Sequence, residues 1–203
     1  VTLYKVTGPS GEPLHGGTGT WPLPHDGEPG AWREVNGELV MRRRGLHLTS
    51  EPARWWRPGC RIFPAEAEGI RGEPDADRKV VCRRARLLRE LTTPVELATV
   101  NIFLSGDHDI AGEVVAVALE SSRVVAWGSS RVVAWGSSRV EAWESSSVEA
   151  WGSSSVEPHG AVTVISWAGR AGSRIMDRVV WIDRSRGEPQ VYTASTPAEG
   201  HAP

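Results

Sequence analysis

An eight-residue repeat in the second half of the chain constrains the fold more than any other feature. From Ser121 the sequence reads SSRVVAWG, SSRVVAWG, SSRVEAWE, SSSVEAWG, SSSVEPHG. Val124, Val132, Val140, Val148 and Val156 fill one slot. Ala126, Ala134, Ala142 and Ala150 fill a second, with Pro158 in the fifth copy, and Trp127, Trp135, Trp143 and Trp151 fill a third. Self-similarity at a short fixed period marks a stacked, quasi-one-dimensional architecture. The Ser, Gly and β-branched content and the period of eight argue against helix. In a strand, alternate side chains share a face. Ser130, Val132 and Ala134 then lie on one face, and Arg131, Val133 and Trp135 on the other. The first set is small and nearly constant, as a narrow interior demands; the second varies, as a solvent face allows. Gly136 and Ser137 turn the corner, where glycine relaxes the restriction on φ.

One octad is thus one short strand plus a corner. Two octads make the smallest closed coil with opposed strands, which predicts about sixteen residues per coil and a stacking distance of roughly 4.8 Å. Trp127, Trp143 and His159 fall in one ladder. Trp135, Trp151 and Trp167 fall in the opposite one, preceded by Leu119. Val164 and Trp167 keep the octad phase in the degenerate segment VISWAGRA, and Ala116, Val117, Ala118 and Leu119 keep it upstream. About three coils are expected, with both ends capped against stray strand pairing.

The octads, with Trp127, Gly128, Ser129 and Ser130 as a typical corner, resemble those of bacterial ice-nucleation proteins. The resemblance implies a β-solenoid with aromatic ladders. It does not imply the activity: that family's water-organising face uses paired threonines, where this chain has Arg, Val and Glu, and three coils are too few to template ice.

Residues 1–104 read as an α+β domain. Expected strands are Leu3 to Val6, Glu38 to Met41, a run through Arg61, Ile62 and Phe63 to Ala67, and Lys79 to Leu88. Ser50 and Pro52 open an expected short helix through Trp56, and Thr93 and Pro94 open a second running towards Leu104. Residues 18–32, rich in Gly and Pro, read as a long loop. GEP at Gly11, Gly27, Gly72 and Gly187 reads as a turn each time. Residues 105–170 are assigned to the solenoid. Residues 171–203 are assigned to a C-terminal β-hairpin cap, centred on a turn at Arg186, Gly187, Glu188 and Pro189, and a loose tail from Thr196.

Two segments carry a second likeness. Gly45, Leu46, His47, Leu48, Thr49 and Pro52, followed by the Ala65-Glu66-Ala67-Glu68-Gly69 strand and the basic strand from Cys82 to Leu88, resemble an uncharacterised phage and bacterial domain with a G-[FL]-H-x-[CT]-x-x-P motif. The match covers roughly residues 38–100, and members of that family are followed by octads of this kind. No catalytic residues come with it. Tyr4 and the segment from Leu46 to Ser50 are also similar to the strands that line the nicotinamide cleft in ADP-ribosyltransferase-type domains. That likeness implies an N-terminal site at Tyr4, His47 and Thr49, although Lys5 stands where a His or Arg is expected and no catalytic Glu is identifiable.

Composition narrows the function classes. The formal net charge is −2, which argues against bulk nucleic-acid binding. No apolar run reaches membrane-spanning length, and the N-terminal sequence does not read as a signal peptide. Cys60 and Cys82 lack metal or redox spacing and read as free thiols. A cytoplasmic setting, in a bacterial host cell or phage particle, is the default, and neither cofactor nor metal is called for. His47 has an acid/base reading beside a blander one, a strand histidine bonded to nearby backbone, and the bland one is favoured. Asp107, His108 and Asp109 read as a loop joining helix to solenoid and not as a metal site, since adjacent strand residues point apart. Arg42, Arg43 and Arg44 read as a solvated edge. The Trp rows, with Arg123, Arg131 and Arg139 beside them and able to stack on the rings, form either a protein interface or a self-contained ladder. The expected function is a non-enzymatic structural or interaction protein whose solenoid self-associates or docks a protein partner. The alternative is a small nucleotide- or NAD-using enzyme in the N-terminal domain, oligomerised by the solenoid.

Overall fold

The structure, a computed structural model, describes residues 1–14, 17–167, 178–185 and 187–193. It divides into two compact units, Val1–Glu96 and Leu97–Pro203.

The first unit overturns the α+β expectation: it is a small antiparallel β-barrel. Its strands are β1 (Leu3–Thr7), β2 (Arg33–Glu34), β3 (Leu46–Thr49), β4 (Arg61–Arg71) and β5 (Lys79–Leu87). β1 pairs with β4, β4 with β5, β5 with β3 and β3 with β1, which closes the ring; β2 adds to β5. The two expected helices shrink. Pro52–Arg54 forms a single 3-10 turn, and α1 (Pro94–Ala98) stops after five residues. Asn101 then takes φ 61°, a left-handed turn that Asn tolerates, and Ile102 and Phe103 leave as strand. The strand expected over Glu38 to Met41 is instead a tight turn closed by the Val40–Arg44 bridge. The core holds Leu46, Leu48, Phe63, Val80, Cys82, Ala85 and Leu87, together with Trp21, contributed by the Gly/Pro-rich stretch.

The second unit is a β-solenoid of about four turns. β6 (Ile102–Phe103), β8 (Val115–Ala118), β10 (Arg131–Ala134), β12 (Ser147–Ala150) and β14 (Thr163–Ser166) stack in parallel on one side. β7 (Asp107–Ile110), β9 (Arg123–Ala126), β11 (Arg139–Ala142) and β13 (Ser155–Pro158) stack on the other. Arg131 lies opposite Ser147 and Arg139 opposite Ser155, so successive rungs are sixteen residues apart. Asp107, His108 and Asp109, expected in a loop, are the first rung of the second stack. The inner columns are dry: Val124, Val132, Val140 and Val148 with Ala126, Ala134, Ala142 and Ala150 are almost wholly buried. Larger residues occupy these columns at the ends, Phe103 opposite Ala118 and Trp181 opposite Val164.

Corner positions share one left-handed conformation. Gly128, Gly136 and Gly152 have φ of 70, 66 and 68°, and Glu144 takes the same corner at φ 60°. Serine hydroxyls lock the corners. Ser130, Ser146 and Ser154 donate to the carbonyls of Trp127, Trp143 and Trp151, and Ser137, Ser145 and Ser153 donate to the corner one coil earlier. At the C-terminal end β15 (Val180–Asp183) joins β14 in parallel, and β16 (Gln190–Thr193) returns antiparallel to β15. The remainder of the expected hairpin from 173 to 177, the turn residue Arg186, the end of the VISWAGRA octad and the tail from Thr196 lie outside the described residues.

Candidate functional site

Two groups of residues were singled out by sequence: the Trp rows of the solenoid, and Tyr4, His47 and Thr49 of the barrel. Both rows exist as stacks. Trp127 lies on Trp143 at 5.0 Å and Trp143 on His159 at 4.0 Å. Trp135 lies on Trp151 at 4.9 Å and Trp151 on Trp167 at 4.7 Å, with interplanar angles of 9° and 12°. The rungs between the row ends are half-buried, whereas Trp127 and Trp167 are each 40% exposed. The Nε1–H of Trp143 donates to Glu141, while those of Trp135 and Trp151 are buried without an acceptor among the described residues. Stacking, not hydrogen bonding, therefore holds the second row.

The flanking arginines do not stack on these rings. Arg123 and Arg131 reach the carboxylates of Glu141 and Glu149, both at 2.9 Å. Each pair spans one coil plus two residues, so it ties one coil to the next. Arg139 is exposed, and Glu157, at the equivalent place one coil further on, lies 3.7 Å from His159 instead.

Tyr4, His47 and Thr49 line one cleft of about 730 Å³ in the barrel. Tyr4 and Thr49 are cross-strand partners at the one position where β1 and β3 pair, and the cleft is lined by both strands at this seam. His47 is not poised for acid/base work. Its Nε2 accepts the backbone N–H of Arg42 at 2.8 Å, and it makes a second bond to the backbone of Gly45. Burial, with Lys5 and Lys79 nearby, holds its pKa below the usual histidine value. It is therefore a neutral strut that pins the turn before β3. Thr49 Oγ1 accepts the N–H of Glu51 at 3.0 Å. Gly45 precedes this strut at φ 135°, where an added Cβ would sit 2.3 Å from Val81 Cγ2. The distinctive Gly45-to-Thr49 motif is thus explained by backbone geometry and packing.

Sequence reasoning passed over the cleft's main chemical feature. The chain has only two lysines among 23 basic residues, and both line this cleft. Lys5 is directly opposite the buried Phe63, so its side chain is on the core face of β1. Its Nζ lies 5.0 Å from the Trp21 ring centroid and donates to the carbonyl of His47 at 3.2 Å. Burial first, then the charges of Lys79 and Arg33, lower its pKa from 10.5 to about 8. Lys79 sits over Trp55, 3.4 Å from the centroid. Arg33, Arg43 and Arg44 add positive charge. Among the described residues the one carboxylate lining the cleft, Asp77, pairs with Arg42 at 2.6 Å and also acts on Lys79 as an opposite charge. The available signal was the rarity of lysine in an arginine-rich chain.

Cys60 and Cys82 are free, and burial pushes the Cys82 thiol up to about 11. Among the described residues no cluster of His, Cys, Asp and Glu could hold a metal, and no helix is long and apolar enough to cross a membrane. Comparison with protein-family models, curated proteins and solved structures finds no match to this chain.

Proposed function

We propose that this is a non-enzymatic binding protein. The barrel cleft takes a small anionic ligand, and the solenoid joined to it in sequence is a rigid structural module. One observation carries the reading: the cleft collects both lysines of the chain with four arginines, and among the described residues its one carboxylate, Asp77, is paired with one of those arginines, Arg42. An excess of cations over carboxylates in a partly buried cleft favours an anion, because Coulomb interactions strengthen as water is excluded. Calorimetric titration with inorganic phosphate, pyrophosphate and citrate at low salt tests it. The expected result is saturable binding that weakens with salt and falls at least tenfold in Lys79→Met. Absence of both heat and thermal shift with all three anions overturns it.

The NAD-using alternative finds less support. No glutamate lines the cleft among the described residues, and the imidazole of His47 is already engaged.

A second reading, self-association or protein docking through the Trp rows, is favoured by Trp127 and Trp167, each of which is 40% exposed. Sedimentation across a wide concentration range is expected to show association that Trp127→Ala or Trp167→Ala weakens. A monomer at every concentration removes this reading.

A further inference from the structure

Resting on the anion-cleft reading, we infer that Lys5 is a nucleophilic amine that captures a carbonyl-bearing anion, an aldehyde or keto acid or a phosphorylated aldehyde, as a reversible imine. Four observations converge on this residue. Its side chain is on the core face of the barrel yet lines the cleft. It has no carboxylate partner among the described residues, and its one hydrogen bond goes to a backbone carbonyl oxygen, which accepts an N–H and leaves the nitrogen lone pair unused. Lys79 and Arg33 act on it as like charges. Arg43, Arg44 and Lys79 are in the same cleft to hold the anionic group of an incoming carbonyl compound.

An amine in such surroundings is activated in the way nucleophilic lysines are, by desolvation and by neighbouring cations. With its pKa lowered to about 8, about a quarter of Lys5 is neutral at pH 7.5. Lys79 plays the complementary part. It lies over the face of Trp55 with Asp75 and Asp77 acting on it as opposite charges, surroundings that favour the ammonium over the free amine although burial lowers its pKa, so it serves as an anchor. Cys82 does not compete, being wholly buried with its thiol pushed up to about 11.

The step balances without a co-reactant. The Lys5 lone pair forms a C–N bond to the carbonyl carbon, and the C=O π pair moves to oxygen, which takes a proton. The carbinolamine then loses that oxygen as water while nitrogen gives up a proton and forms C=N. Amine and carbonyl compound go to imine and water, with no change of oxidation state. Hydrolysis releases the ligand unchanged, in keeping with binding in place of turnover.

Reductive trapping tests the inference on the intact wild-type chain. The protein is incubated with glyoxylate, or with uncharged propionaldehyde, in the presence of cyanoborohydride, and adducts are mapped by peptide mass spectrometry. Lys5 is expected to carry at least ten times the label of Lys79 or the α-amine. Glyoxylate should label faster than propionaldehyde, inorganic phosphate should slow it, and the rate should rise as pH approaches 8. Lys5→Arg should lose the adduct. Equal labelling of the amines, or none at Lys5, overturns the inference. If phosphate still binds in that case, the anion-cleft reading survives; if phosphate also fails to bind, both fall.

Discussion

Replacing Lys5 by Met should make the protein more stable at neutral pH, and the gain should disappear in alkali. Met keeps the length and apolar stem of Lys but carries no charge. In the folded chain the amine titrates at about 8, against an ordinary value of 10.5. Each pKa unit corresponds to 1.36 kcal/mol, so holding the charged form in the barrel costs roughly 3 kcal/mol below pH 8. The sign follows from proton binding. Between pH 8 and 10.5 the unfolded chain binds the proton and the folded chain does not, so wild-type stability rises with pH across that window. Met has no such dependence. Against the gain stand the lost hydrogen bond to the His47 carbonyl, on the order of 1 kcal/mol, and the contact with Trp21. Lys5→Met is therefore expected to be more stable by about 1–2 kcal/mol at pH 7 and less stable than wild type near pH 10.5. Urea unfolding of both proteins at several pH values reads this directly, since groups common to both cancel in the difference. A difference that stays constant within about 1 kcal/mol from pH 7 to 10.5 would refute a buried, depressed Lys5 amine.

Trp151, stacked on both faces, should lose about 2–3 kcal/mol on replacement by Ala. Trp127, with one stack and 40% exposure, should lose only about 1 kcal/mol; chemical denaturation ranks the two, and equal losses would deny the ladder its role. Glu144→Gly should raise stability by about 1 kcal/mol, because a left-handed corner at φ 60° disfavours a side chain, read as an increase in Tm. Gly45→Ala should cost roughly 2–3 kcal/mol, through the clash with Val81 and the strained φ. A variant as stable as wild type would show that the turn before β3 relaxes freely.

Legibility in the sequence followed the range of the interactions. The octads could be read because each rung meets another copy of itself: the partner of Val132 is Val148, and the same inward and outward alternation serves every coil. The Arg–Glu ties were also present in the pattern, as Arg123 with Glu141 and Arg131 with Glu149, but their spacing acquires meaning only once a coil of sixteen is assumed. The second helix failed at a similar point. Local signals at Thr93 and Pro94 do start one, but pairing of Ile102 with Val117 takes the chain into the solenoid. No local pattern reveals such a partner.

The barrel was the harder half, because its closure joins segments with no shared periodicity. Of the site residues proposed there, Tyr4, His47 and Thr49 do meet in one cleft, but the geometry gives His47 and Thr49 structural bonds. The proposed chemistry rests on Lys5, the neighbour first noted only as a departure from a motif.

Residue order alone dictated the dry Val/Ala interior, the corner glycines and the vertical alignment of indoles, since alternation and period act over one or two coils. Tertiary structure decided that β1, β3 and β5 close a ring, that Trp21 enters its core, and that two lysines 74 positions apart in the chain share one desolvated cleft. Charge and burial at a single point in space come from distant segments, and only the closed chain brings them together.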